Sequence, residues 1–370
     1  MAIIIPLLEQ VDDDAATVRL SLVDLSTVAP GTTEADALAD SLRTARQAEA
    51  LGYHRIWFAE HHLTAGHASH NPEVLIAVAA AQTREIRVGS GAVLLNHYSP
   101  LKVAEVFQQF HALFPGRIDL GLGRATAGPV IDLALRRDRN ARFVDDHPEQ
   151  VAEVLAWLHD SFPTDHPFAQ KPVMPSVPGA PQVWLLGSSP SSGGLAAQLG
   201  IGYAFASFIN PPLAAQALRR YAEAFRPTGF GPRDPYAILS VNVTVADSDE
   251  AAEHLSLSPK GFLARLMRGD EDRGVPTPEE ALRELTTEQR HEPTRIVDGR
   301  WPRFVAGDPG RVWATLEQMR LESGAREIMI QDLIADPLDR WRSHALLAAA
   351  YRLAPRELAA RPRTTAPEVR

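Results

Sequence analysis

Eight short apolar stretches alternate along this chain with amphipathic helical patterns, joined mostly by connections of a few residues, and this alternation restricts the fold more than any other feature. The stretches at 19–26 (RLSLVDLS), 56–59 (IWFA), 86–95 (IRVGSGAVLL), 117–124 (RIDLGLGR), 182–187, 203–208, 236–246 and 327–331 read as strands. Helices are expected at 33–52, with Thr33 as cap and Gly52 as stop, and at 71–83, with Asn71 as cap and Pro72 at the first position. Further helices are expected at 99–114, 146–160, 191–199, 211–225, 311–323 and 339–351. Strand and helix in strict alternation imply right-handed βαβ units and a parallel sheet. Eight units favour an α/β fold of the closed (β/α)8 TIM-barrel type over a doubly wound sheet with a second domain.

Two long interruptions break the rhythm. Residues 162–181 are rich in proline and suit an irregular loop packed on the surface. Residues 247–299, between the seventh and eighth strands, are charged and partly helical, and suit either a lid over the carboxyl face or a solvated insertion. The expected organisation is an extension at 1–17, a barrel at 18–353 including the insertion, and a disordered tail at 354–370. The short apolar run at 2–8 lacks a preceding basic region and leads into Asp12, Asp13 and Asp14, so an unexported, cytoplasmic protein is expected. No stretch is apolar for the ~18 residues a membrane span requires. A net charge of −9 without a Lys/Arg run argues against nucleic acid, and the absence of Cys removes thiolate metal sites and a Cys nucleophile.

In a barrel the carboxyl ends of all strands open on one face, where active sites gather. The second strand runs without a spacer into Glu60, His61 and His62, three proton-transfer groups. The third ends in Gly89, Ser90, Gly91 and Ala92, small enough to let a flat ring approach the backbone, although tight helix packing would use them equally. The fourth ends in Gly121-Leu122-Gly123-Arg124. Thr126 stands where a dinucleotide fingerprint needs a third Gly, which leaves Arg124 as a phosphate grip or an ordinary surface cation. The fifth runs into Gly187, Ser188, Ser189, Pro190, Ser191 and Ser192 before a helix, a combination of hydroxyls and free N–H groups suited to an anion. His61, His62, His67 and His70 lie close in sequence, but adjacent strand residues point to opposite faces, and neither His-x-His after the first strand nor H-E-x-x-H occurs. No metal is expected.

Together the stretches AEALGYHRIWFAEHH, NPEVLIA, IRVGSGAVLL with HYSPLKVAEVF, PGRIDLGLGR, WLLGSS with AAQLG, and FVAGDP run in order along the chain. In them the chain resembles the bacterial luciferase-like flavin-dependent monooxygenases, closest to their single-chain, non-luminescent branch. The resemblance implies reduced FMN across the barrel mouth, supplied by a separate flavin reductase, and a peroxyflavin formed with O2 that oxygenates a small organic substrate. It implies His61 as acid/base with Glu60 and His62 flanking it. It also implies Gly91-Ala92, following Ser90, as the ring support, often through a cis peptide. For the phosphate it implies Arg124 with the loop Gly187, Ser188, Ser189 and Ser192. A homodimer is the family expectation. Gly123, where some luciferase chains carry Cys, departs from the pattern and weighs against luciferase activity itself. Two other readings stay open: a deazaflavin-dependent hydride-transfer enzyme, and a flavin-binding protein without catalysis.

Overall fold

The computed structural model describes residues 18–124, 128–136, 138–140, 145–270 and 273–356. The extension expected at 1–17 and most of the tail expected at 354–370 lie outside the described residues.

Among the described residues ten strands form one parallel sheet: β1 (Arg19–Asp24), β2 (Arg55–Phe58), β3 (Arg87–Ser90), β4 (Val93–Leu94), β5 (Ile118–Gly123), β6 (Gln182–Gly187), β7 (Gly202–Ala206), β8 (Ala237–Val245), β9 (Phe304–Gly307) and β10 (Glu327–Gln331). Eight of them close a ring in the order β1-β2-β3-β5-β6-β7-β8-β10, with β10 returning to β1. The fold is therefore the expected (β/α)8 barrel. β8 is long enough to pair with β10 through 238–242 and then with β9 through 242–245. β9, only four residues long, was not among the expected strands. The single strand expected at 86–95 divides into β3 and β4, with the cis Gly91–Ala92 peptide between them.

The helices start and stop where local chemistry says they should. Thr33 closes a capping box with Asp36, and Gly52, at φ 88°, ends the same helix in the left-handed conformation that a side chain disfavours. Pro72 and Pro100 occupy first turns, where a missing N–H costs nothing.

Alternate residues of each strand face opposite ways. Leu20, Leu22, Ile56, Phe58, Leu239 and Val241 pack outward against the helices in the main core. Val23, Leu25, Trp57, Ala59, Trp184, Ala204, Ile238 and Met329 fill the barrel interior. Full burial of each large side chain is worth roughly 1.5–3 kcal/mol, so the two cores dominate the driving force for closure.

Below these apolar residues, at the amino ends of the strands, lies a buried charge network. Arg55 binds Glu327 (Nε to Oε1, 2.8 Å) and Asp119 (Nη1 to Oδ2, 2.7 Å), and its guanidinium lies 4.6 Å from the centre of a Trp184 ring. The Trp57 indole donates to Asp119 at 3.0 Å, Tyr236 donates to Glu327 at 2.9 Å, and Ser21 also donates to Glu327. Burial alone would raise Asp119, but Arg55 and Arg87 outweigh it and hold the carboxyl below its ordinary range. These contacts tie β2, β5 and β10 together across the barrel floor.

Candidate active site

At the opposite end, the turn after β2 carries Glu60, His61 and His62. This segment is docked on the loop after β1: Ala59 N–H donates to Asp24, Ala68 N–H to Ser26 and Val28 N–H to Gly66, while His61 N–H donates to Ser69. The loop 61–70 thus folds back over the mouth.

Glu60 is buried, and both its oxygens are engaged. Oε1 pairs with His62 Nε2 at 2.8 Å and accepts from the Tyr98 hydroxyl at 2.7 Å, while Oε2 accepts from Leu94 N–H at 2.9 Å. Burial, and then the bond to Glu60, pushes the Tyr98 hydroxyl above its ordinary range, so it remains a donor. Glu60 therefore fixes the chain immediately after the cis peptide to the end of β2. His62 stacks on His70 with ring centres 6.2 Å apart, and His70 Nδ1 donates to the His61 carbonyl at 2.7 Å.

His61 differs from both neighbours. Its Nδ1 is buried without a partner, and its ring lies 4.5 Å from that of His67, whose Nδ1 is equally unpartnered. Desolvation, followed by the nearby His62 and His70, lowers His61 to about 4. At pH 7 this imidazole is therefore neutral and is a proton acceptor first. His67 is lowered for the same leading reason. Sequence spacing did not single out His67 from its neighbours, since only the fold-back of the loop brings its ring to His61.

The insertion closes over this pair. Phe262, in the helix Leu257–Arg268, meets the His67 ring edge-on at 5.2 Å and packs, with Val275, among the interior residues of the barrel. A Cβ on Gly66 would come within 2.9 Å of the Phe262 ring, so glycine is needed for the approach. The insertion has its own fastening, a fork from Arg265 Nε and Nη2 to the two Glu284 oxygens at 2.9 and 2.7 Å. That bonding, led by the Arg265 contact, lowers Glu284 to about 2. Of the two sequence expectations, a cover over the mouth is the one these contacts favour.

The cis Gly91–Ala92 unit rests on the interior directly: a Cβ at Gly91 would stand 3.0 Å from Trp57 Cβ and 3.2 Å from Val23 Cγ2. The Gly91 N–H donates to Phe58, so the shelf begins beside the end of β2. Ser90 is fully buried, and its hydroxyl both donates to Gly121 O and accepts from Gly121 N–H at 3.0 Å. Its side chain belongs to the barrel wall, which leaves only its backbone near the mouth.

Arg124 follows β5 and is 63% exposed, with Asp145 at 3.6 Å. The neighbouring strand β6 ends at Gly187, and Ser188 and Ser189 lead into the helix Pro190–Leu199. Ser189 stands at its N-cap without a side-chain cap bond, leaving first-turn N–H groups for another acceptor. Ser192 Oγ and the Tyr203 hydroxyl both donate to the Ser189 carbonyl, at 2.8 and 2.9 Å. A Cβ on Gly187 would stand 2.1 Å from Ser192 Oγ, so the turn depends on that glycine. Arg124 and the Ser loop thus stand at adjacent strand ends. Among the described residues no three His, Cys, Asp or Glu side chains converge on a point that would hold a metal ion.

Residues 18–326 match the luciferase-like monooxygenase family. The chain belongs to that family. Its relatives include the N-acetyl-S-alkylcysteine monooxygenase of Bacillus subtilis, 34% identical over 92% of this chain and 100% of the relative. The crystal structure of apo-MsnO8 superimposes with a TM-score of 0.82 at 41% identity, over 92% of this chain and 100% of that one. The oxygenating constituent of the 3,6-diketocamphane monooxygenase of Pseudomonas putida, a type II Baeyer-Villiger enzyme in complex with FMN, shares the fold with a TM-score of 0.67. It is 22% identical, over 92% of this chain and 100% of that one. Within this luciferase-like barrel, none of the described helices is long and apolar enough to cross a membrane.

Proposed function

We propose that this luciferase-like protein is a flavin-dependent monooxygenase that uses reduced FMN and O2 to oxygenate a small organic substrate at the barrel mouth. One observation carries the reading: an imidazole with a buried, unpartnered nitrogen, a glycine shelf and an uncapped helix start with a nearby Arg occupy consecutive strand ends. The residues fit the cofactor in kind. Gly91 and Ala92 would support a flat ring, while Arg124, the Ser189 hydroxyl and the free first-turn N–H groups of the helix Pro190–Leu199 would hold its phosphate; the Ser192 hydroxyl, expected to join them, is instead committed to the Ser189 carbonyl and shapes the loop. When bound, reduced FMN supplies the chemistry that activates O2.

The chain's own residues do the rest. His61, neutral at pH 7, accepts and returns a proton at Nδ1. Glu60 and His62 keep the shelf and the His61 turn in register instead of reacting themselves. Phe262 and Val275 keep water out while the reaction runs. A separate reductase supplies reduced flavin, and the enzyme works as a cytoplasmic homodimer.

Two measurements test the reading. Titration with FMN and with a deazaflavin, followed by absorbance, is expected to show tighter binding of FMN. Mixing the reduced-FMN complex with O2 in a single turnover, in the presence of a panel of sulfides, ketones and aldehydes, is expected to yield a product one oxygen atom heavier. Binding without any such product defeats the monooxygenase reading.

A further inference from the structure

Two amide oxygens in the barrel interior have no partner among the described residues. Asn242 on β8 and Gln331 on β10 are direct register partners, 2% and 7% exposed, and Asn242 Oδ1 and Gln331 Oε1 are both buried without a partner. Their orientation follows from alternation: Ile238 and Met329 fill the interior, and Asn242 and Gln331 lie four and two residues further along the same strands. Buried polar groups in native folds are nearly always paired, because an orphan costs its full desolvation. Two orphans side by side on one inner wall indicate a ligand that supplies the missing partners.

The ring order says where that ligand lies. β8 is diametrically across the barrel from β3, which leads into the Gly91–Ala92 shelf, and β10 is across from β5, which ends at Gly123. Gln331 is also in register with Val23, whose Cγ2 lies 3.2 Å from the position of a Gly91 Cβ. Gln331 therefore stands at the level of the shelf, beside Val23, and Asn242 continues the same row one strand further round. A ring lying on the shelf has Gln331 at its side and Asn242 beyond it.

We propose that Asn242 and Gln331 are the specificity-determining wall of the substrate pocket. They select an organic substrate that carries an O–H or N–H donor beside its reacting centre, as a phenol, an alcohol or a secondary amide does, in preference to a plain alkyl chain. The inference deepens the flavin-monooxygenase reading, since it takes the shelf to be the cofactor's side. The amide oxygens accept the donor, and the amide NH2 groups lie beside them for an acceptor on the same molecule. A pocket built to bond such a group rejects the analogue that lacks it, because the wall is then left unpaired.

Equilibrium dialysis tests this with the full chain, with and without oxidised FMN. The probes are para-hydroxyacetophenone against its methyl ether, and acetanilide against N-methylacetanilide. The wild type is expected to bind the donor-bearing member of a pair about 10-fold tighter, and the Asn242→Leu/Gln331→Met double variant to bind both members equally. The variant's FMN affinity is expected to stay within about threefold of wild type. Because apolar groups of similar shape replace orphaned amides, its melting temperature is expected to hold or rise, and the single variant Asn242→Asp provides a second readout if the double variant does not fold. Equal binding of both members by the wild type overturns the proposal, as does failure of the wild type to bind either donor-bearing probe. A large loss of FMN affinity in the variant with the probe preference intact also overturns it, since the amides would then hold the cofactor. If FMN does not bind the wild type, the monooxygenase reading fails, but the probe preference measured without flavin still decides the role of the amides.

Discussion

The two ends of this barrel use the same kinds of side chain to opposite ends. At the floor, Arg55, Asp119, Glu327, Trp57 and Tyr236 are interlocked. At the mouth, His61, His67, Asn242 and Gln331 each keep a buried nitrogen or oxygen without a partner among the described residues. A saturated polar network records what the fold needs for its own stability, and an unsaturated one records what it is shaped to receive. Glu60 sits at the mouth but belongs to the first kind, since the peptide N–H of Leu94, the Tyr98 hydroxyl and His62 occupy its carboxylate.

If that contrast is correct, substitutions at the two ends have separable effects. The largest is expected at His61. His61→Gln should lower the single-turnover oxygenation rate about 10²- to 10⁴-fold, the range for loss of a positioned acid/base, with FMN affinity nearly unchanged. A matching loss of FMN binding would move His61 from chemistry to cofactor support. Next comes the floor: Asp119→Ala leaves Arg55 and Arg87 short of a counter-charge and should cost about 3–5 kcal/mol in urea unfolding. A floor variant that unfolds normally but loses activity would erase the distinction between the two ends.

Smaller again is Arg124→Ala, expected to weaken FMN about 10- to 100-fold by fluorescence titration, as loss of a charge-assisted bond would, without changing the urea midpoint. Unchanged binding removes Arg124 from the phosphate site. The smallest effect is pH-dependent. The folded-state pKa of His61 is about 4, below the unfolded reference of about 6.5. The unfolded chain therefore binds the extra proton first, and stability is expected to fall as pH drops from about 6.5 toward 4, then to level off with respect to this group. His61→Gln should flatten that slope, and His67→Gln should flatten what remains. A slope unchanged in both variants would mean that the imidazoles are solvated in solution.

The eight barrel strands were legible because each is an apolar run bounded by Gly, Pro or a helix cap, and those are local signals. β9 was not, because Phe304–Gly307 is too short for a periodicity to develop and owes its strand geometry to the overhang of β8. The cis peptide at Gly91–Ala92 was expected from family resemblance and not from composition. The engagement of Ser90 with Gly121 depends on strand pairing, which one stretch of sequence does not encode. The same holds for Asn242 and Gln331: alternation predicts that one face of each strand is inward, but only the register shows that the two amides are neighbours. For the insertion at 247–299 the sequence left a lid and a solvated element equally open, since a charged, partly helical segment looks the same whether or not it folds inward, and only the packing of Phe262 separates them.

The fastening of the insertion has an evolutionary consequence. Arg265 and Glu284 lie within one contiguous segment, and that segment reaches the barrel interior through Phe262 and Val275. A cassette that carries its own clasp can drift, lengthen or be exchanged by recombination without disturbing the floor that keeps the barrel closed. Grafting this segment onto a related barrel would transplant the roof of the pocket, and with it the shape of the molecules admitted, in a single genetic step.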